Sequence, residues 1–325
     1  MSLAEYQRKF ESLNVNVSGG RQSPHKICML LAVLDLARSG ELVANRIAYD
    51  TPLLCRYLRY FSAIQAPGDH PNPYFPFFHL TGALRASTAG AGRQASFWHI
   101  LALPGQEAAL NRMTSARTHR DITEVVDFAT LDEELFHLLQ SPRNIDALGE
   151  TLARHWFNRG LEDLAGVAAI EREITMYERT LRMNIGAMPS SESPPPKSVR
   201  DPAFRRVVVE LYDYRCAASG ERVRMPDGTP MVEAAHIQAF SDGADDDPRN
   251  GIALTPDMHW AMDNYLIAPW PDFKWHVHPR IDERVPDFAR FVRLAGKPIL
   301  PPTEKRMWPK LESLEWRKGR FLACS

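Results

Sequence analysis

Four residues in the last third of the chain, His236, Asn250, His259 and Asp263, have types and spacings suited to activating water beside a metal ion. His259 and Asp263 stand four residues apart on a helix predicted to open at Thr255-Pro256-Asp257. One lies above the other on that helix, so imidazole and carboxylate can grip one metal ion. His236 closes an apolar run (Val232, Ala234 and Ala235 before it, Ile237 after) that reads as a facing strand. Its imidazole is free of the metal and, with an ordinary pKa of about 6.5, can take a proton from water at neutral pH. Asn250, in the polar loop SDGADDDPRNG (241–251), either holds that loop or orients the imidazole. Each residue alone has a structural explanation: a strand-end histidine, an Asn-Gly turn, a surface His/Asp pair. The joint spacing is what points to chemistry.

The elements that must position these residues can be read locally. Glu221–Met225 and Pro230–Ile237 look like two strands joined at PDGT (226–229), with Asp227-Gly228 at the tip. The polar loop and the helix follow, giving a ββα order, and a helical stretch Pro202–Tyr212 precedes it. Met188–Lys197, MPSSESPPPK, cannot continue a helix and reads as a solvated linker. Upstream, Ile27, Leu30, Leu31, Leu34 and Ala37 fall at helical spacing with Gly40 as the stop. Asp50-Thr51-Pro52 starts a second helix carrying Leu53, Leu54, Tyr57, Leu58 and Phe61, with Pro52 at its first position. A proline- and aromatic-rich stretch (67–80) reads as a loop, and short β-like runs lie at 96–103 and 43–49. Residues 131–181 read as helices, among them Leu131–Leu139 and Ile145–Phe157.

With 325 residues, 44% hydrophobic and 24% charged, the chain is neither disordered nor fibrous and has the length of two domains. Residues 1–120 carry 13 Lys+Arg against 7 Asp+Glu, whereas 121–180 carry 5 against 13, so the middle reads as an acidic helical connector. Four scattered cysteines make no disulfide framework, and no apolar run approaches the roughly 18 residues of a membrane span. The N-terminal residues contain no apolar signal core. The expectation is a cytoplasmic protein with no membrane partner.

The string from Tyr212 to Ile267, with AAHI, the acidic DDDPRNG turn and the apolar step into His259, resembles the HNH nuclease family, whose fold is the ββα-metal finger. That resemblance implies His236 as general base, His259 as metal ligand, Asn250 as third signature residue and Asp263 as second ligand. One divalent ion, Mg²⁺ or Mn²⁺, would serve each active site electrostatically. Two departures stand out. Ala235 occupies a position where many relatives place a further ligand, and Glu233 is a weak substitute because an odd offset from His236 points it to the other strand face. Cys216-Ala-Ala-Ser219 retains one cysteine of the paired CxxC knuckles seen in many relatives, so no structural zinc is expected and Cys216 reads as a small buried apolar residue. His276-Val-His278 reads as alternate strand positions rather than a metal pair.

Near the N-terminus, GGRQSPHKICMLLAVLDLARSG (19–40), YFPFFHL (74–80) and FWHIL (97–101) resemble, in order, the sulfur-binding domains of phosphorothioate-dependent type IV restriction endonucleases. Sulfur in place of a non-bridging oxygen is larger and less hydrated, so a reader needs an apolar pocket with cations for the remaining charge. Tyr74, Phe75 and Pro76 are the pocket candidates, and His25 and Lys26 at a helix start would hold the phosphate. Arg21 and Arg93 would add backbone or base contacts. Core packing is the expected role of at least two of Phe75, Phe77 and Phe78.

Together these readings describe an α+β protein. A mainly helical DNA-reading domain (1–120) leads to a helical connector (121–187), a Pro/Ser linker (188–200) and an HNH endonuclease domain (201–325). The expected partner is double-stranded, phosphorothioate-modified DNA. A homodimer through 131–181 would supply the two active sites of a double-strand cut. The alternatives are an HNH nuclease reading another mark or none, and a DNA-binding protein with a silent finger; a secreted toxin nuclease is disfavoured.

Overall fold

The computed structural model describes residues 1–18, 21–82, 96–157, 164–183, 185, 195–225 and 229–324. Two compact units emerge, one centred on Met1–Met176 and the other on Tyr177–Met225 with Pro230–Ser325. Among the described residues helix accounts for 52% and strand for 11%, so the sheets are small and helices form most of the walls. Among the described residues no helix is long and apolar enough to cross a membrane.

The first unit contains α1 (Leu3–Glu11), β1 (Val17–Ser18), β2 (Arg21–Gln22), α2 (His25–Ser39), α3 (Thr51–Ile64), α4 (Tyr74–His79), β3 (Trp98–Ala102) and α5 (Glu107–Arg112). It continues through α6 (His119–Thr123), β4 (Val126–Leu131), α7 (Glu133–Leu138), α8 (Pro142–Phe157) and the first part of α9 (Leu164–Met183). Helix α2 is buried on nearly every face from Ile27 to Ser39, as a helix that is apolar all round must be. It ends at Gly40, whose φ of 81° turns the chain so that the Glu41 N–H reaches back to the Leu36 carbonyl at 3.0 Å. Asp50 caps α3 by accepting from the Leu53 N–H at 3.4 Å; Thr51 opens that helix, so Pro52 sits second rather than first.

Three expectations for this part are corrected. The stretch 67–80 is not all loop, because Tyr74–His79 is helical. Pro76 is the third helical residue, where a missing N–H leaves no intrahelical bond unmade, and burial of Phe77 and Phe78 rewards the turn. Of the β-like run at 43–49 only Ile47 pairs, bridging Ala129. The region expected as a connector contains β4, which pairs antiparallel with β3, and its Ile122, Ala129, Leu148 and Leu152 are buried in the same core as α2.

The second unit holds the rest of α9, then α10 (Lys197–Leu211), β5 (Glu233–His236), α11 (Phe240–Gly243), β6 (Gly251–Leu254), α12 (Pro256–Asp263), β7 (Ile267–Pro269), β8 (Trp275–Val277), α13 (Ala289–Val292) and α14 (Leu311–Cys324). Helix α10 begins inside the predicted linker; residues 188–194 lie outside the described residues. The ββα order holds, but with different strands. β5 pairs with β6 in the register Glu233↔Leu254 to His236↔Gly251, while 221–225 contributes one bridge, Arg224↔Pro230. The predicted turn tip Asp227-Gly228 lies outside the described residues.

Gly251 makes this packing possible. Its φ of −110° is open to any residue, so space is the constraint. A Cβ there would overlap Val208 and stand 2.9 Å from the Phe204 ring, both on α10. Gly251→Ala is expected to lower the unfolding free energy by about 1–3 kcal/mol, read as a reduced denaturant midpoint at unchanged m. An unchanged midpoint would show that α10 does not press on β6.

Candidate active site

His236 ends β5, and its ring lies flat on Phe204 of α10, with centroids 3.9 Å apart and planes 3° from parallel. Phe240 meets the same ring edge-on at 6.0 Å. These faces fix the imidazole without using its nitrogens. Among the described residues Nε2 is buried without a hydrogen-bond partner, with the Asp246 carboxylate Oδ1 at 3.5 Å. A cleft of about 400 Å³ carries Ala234, His236 and His259 on one side and Lys197, Arg200 and Arg205 of α10 on the other.

Asn250 is wholly buried. Its Oδ1 accepts from the Gln238 N–H at 2.9 Å, and its Nδ2 donates to the carbonyls of Gln238 and Asp245, both at 3.0 Å. Its carbonyl accepts from the Ile237 N–H at 2.8 Å. The side chain therefore staples the 238–245 loop to the end of β5, and of the two roles open to it on sequence it fills the loop-holding one.

His259 projects from α12 between two carboxylates. Nδ1 is 3.0 Å from Glu233 Oε2, and Nε2 is 3.3 Å from Asp263 Oδ2. Glu233 is thus not turned away from the site. It opens β5 directly across from α12, and its long side chain spans the gap whatever face its Cβ takes. Because the carboxylates flank opposite ring nitrogens, they do not converge, and among the described residues no three His, Cys, Asp or Glu side chains form a metal cluster. The fit is to an ion held by two protein donors: Nε2 and Asp263 on one edge, with Glu233 fixing the Nδ1–H on the other, as carboxylates commonly do for metal-binding histidines. Ala235 is buried and offers nothing.

Two residues that spacing did not single out hold the site together. Arg317 of α14 is buried and donates Nε to the Ile237 carbonyl at 2.7 Å, Nη2 to that of His236 at 2.9 Å and Nη1 to that of Met262 at 3.3 Å. Cys216, read as an inert apolar residue, is buried but polar in use. Its Sγ accepts from the N–H groups of Ser219 and Thr255, each at 3.4 Å, tying the 216–219 turn to the start of α12. Nothing near 236 or 259 announces Arg317, some 80 positions from the strand it grips. His276 pairs with Asp272 and His278 with the Cys324 carbonyl, so they share no point.

The N-terminal candidates fall into two groups. Arg21 is engaged within the chain by Asp69 at 2.8 Å and by the Ile64 carbonyl. His25 has both ring nitrogens in use, Nδ1 with Ser23 Oγ at 2.8 Å and Nε2 with the His70 carbonyl at 3.0 Å, and burial lowers its pKa. Lys26 differs. It has no hydrogen-bond or ion-pair partner among the described residues, and burial pulls its ammonium down to about 8. Its charge is felt by His79 of α4, whose ring contacts Phe75 at 4.2 Å. Tyr74 donates to Asn72 at 2.8 Å. Pro76, Phe77 and Phe78 are buried, the last two in the core, and Arg93 lies outside the described residues.

The sequence model of a family described as HNH endonuclease matches residues 216–268, from Cys216 through β5, β6 and α12 into β7. No curated protein matches the chain. Among solved structures, one titled "Modification dependent TagI restriction endonuclease" is 19% identical, with a TM-score of 0.30, over 40% of this chain and 39% of that one. The family match covers 53 of the 325 residues, and His236, Asn250 and His259 all fall inside this HNH endonuclease match.

Proposed function

We propose that this endonuclease is a metal-dependent restriction enzyme that acts on double-stranded DNA bearing phosphorothioate linkages, selecting the mark through its first unit and cutting with its second. The observation that carries the cutting half is the cleft holding His236 and His259 opposite the cations of α10. His236 takes one proton from water, the water oxygen bonds to phosphorus in line, the bond to the leaving strand oxygen breaks, and that oxygen is protonated from solvent. A divalent ion, Mg²⁺ or Mn²⁺, held by His259 and Asp263 would supply electrostatic stabilisation of the charge on the leaving oxygen. Glu233 fixes the His259 ring, and Lys197 and Arg205 line the path of the DNA backbone.

The reading half rests on the resemblance of the 19–40, 74–80 and 97–101 blocks to sulfur-binding domains and on Lys26. An uncompensated, half-buried cation whose charge reaches His79, itself 4.2 Å from the Phe75 ring, offers a phosphorothioate charge near an apolar neighbour. A second copy of the chain would bring the two active sites that a double-strand cut requires.

The test is cleavage of one duplex with and without a site-specific phosphorothioate, in Mg²⁺ or Mn²⁺, by wild type and His236→Ala. Cutting confined to the sulfur-bearing duplex is expected, with kcat reduced by roughly 10²–10⁴ in the variant and activity lost on chelation. Equal cutting of both duplexes would retain the nuclease and discard the sulfur reader. Binding gives a separate prediction. Lys26 must be charged to hold phosphate, so affinity should fall as pH rises through about 8, while Lys26→Arg, whose charge does not titrate there, flattens the dependence. Lys26→Ala should reduce the salt slope of log K by about 1. A pH-independent wild-type affinity would remove Lys26 from the contact.

A further inference from the structure

Asp246 is held more firmly than a loop carboxylate in an acidic turn needs to be. It is buried, and its Oδ2 is met from two sides, by Arg200 Nε of α10 at 3.3 Å and by the Tyr177 hydroxyl of α9 at 3.4 Å. Arg200 is itself fixed, its guanidinium lying 3.5 Å over the Phe240 ring. The other oxygen, Oδ1, faces His236 Nε2 at 3.5 Å, and that nitrogen is buried with no other partner. Stacking on Phe204 holds the His236 ring in the plane that presents Nε2 to Oδ1. A buried N–H has nowhere else to go, and a buried polar atom left unpaired is costly.

We infer that Asp246 is the positioning residue for His236: its carboxylate holds the proton on Nε2, selects that tautomer of the neutral ring, and leaves Nδ1 as the nitrogen that takes the proton from water. The inference rests on His236 being the general base. Among the described residues Nδ1 has no hydrogen-bond partner, as a base awaiting water requires. When the ring becomes imidazolium during the reaction, the carboxylate stabilises it, while Arg200 and Tyr177 hold Asp246 in place. The other titratable or charged groups on the cleft are Lys197, Asp201 and Arg205 of α10 and His259 of α12. None of them is paired with Nε2, so the orienting role falls to Asp246 alone.

Asp246→Asn in the full-length protein tests this. With the carboxylate gone, kcat should fall by roughly 10²-fold or more, with KM for DNA within a few-fold of wild type. A purely structural role would reduce the amount of folded enzyme while leaving kcat per folded molecule unchanged. An unchanged kcat, or a loss confined to KM, would overturn the inference. If the variant does not fold, ¹⁵N NMR of histidine-labelled wild type, with His236→Ala supplying the assignment, reads the tautomer directly. A neutral His236 protonated on Nε2 supports the inference, and one protonated on Nδ1 overturns it. Full cleavage by His236→Ala would instead defeat the general-base reading, and the tautomer would still decide what Asp246 does.

Discussion

Three carbonyl groups from two different elements meet on a single guanidinium. Those of His236 and Ile237 lie at the exit of β5, and that of Met262 lies at the last turn of α12, where it also accepts from the Tyr265 N–H at 3.1 Å. Arg317 satisfies all three from a planar fork that no other side chain can reproduce. The strand carrying one histidine and the helix carrying the other are thereby set at a fixed separation. What the cleft can do depends on that separation, since both histidines line it.

Around this clamp, the local structure is built from polar groups satisfied internally. Asn250 ties the long excursion between β5 and β6 back to its own start, and Cys216 performs the same service for the first turn of α12 with two N–H···S bonds. Gly251 contributes by omission, letting α10 approach β6 closely enough for Phe204 to lie under His236. A two-stranded sheet is marginal by itself, and packing against a helix is what stabilises it. Here the same contact that stabilises the sheet also orients the ring.

Much of this was legible in the sequence, for reasons that can be named. The i, i+4 geometry of His259 and Asp263 follows from helical pitch, and a strong Thr-Pro-Asp start fixed where that helix begins. The strand partner was misread because 221–225 and 230–237 flank an Asp-Gly tip, the strongest local hairpin signal, whereas Gly251-Ile-Ala-Leu254 has weak strand propensity. Burial of all four of its residues outweighs that weakness. Glu233 was discounted by strand parity, which predicts where a Cβ points but not how far a glutamate reaches. Arg317 and Asp246 act across the fold, and no local pattern encodes such a pairing. In the first unit the apolar helices and their caps were plain, but β4 was hidden in an acidic stretch whose charges lie on the open face.

The stacking of His236 on Phe204 has a consequence for what counts as the working module. The recognisable sequence signature runs from 216 to 268, yet the ring beneath the imidazole comes from residue 204 and the clamp behind it from residue 317. Excised at the signature's limits and grafted elsewhere, the segment would carry both histidines but neither the floor on which His236 lies nor the fork that spaces it. The smallest transplantable piece therefore starts with α10 and ends with α14, about two and a half times the length of the part that sequence similarity defines.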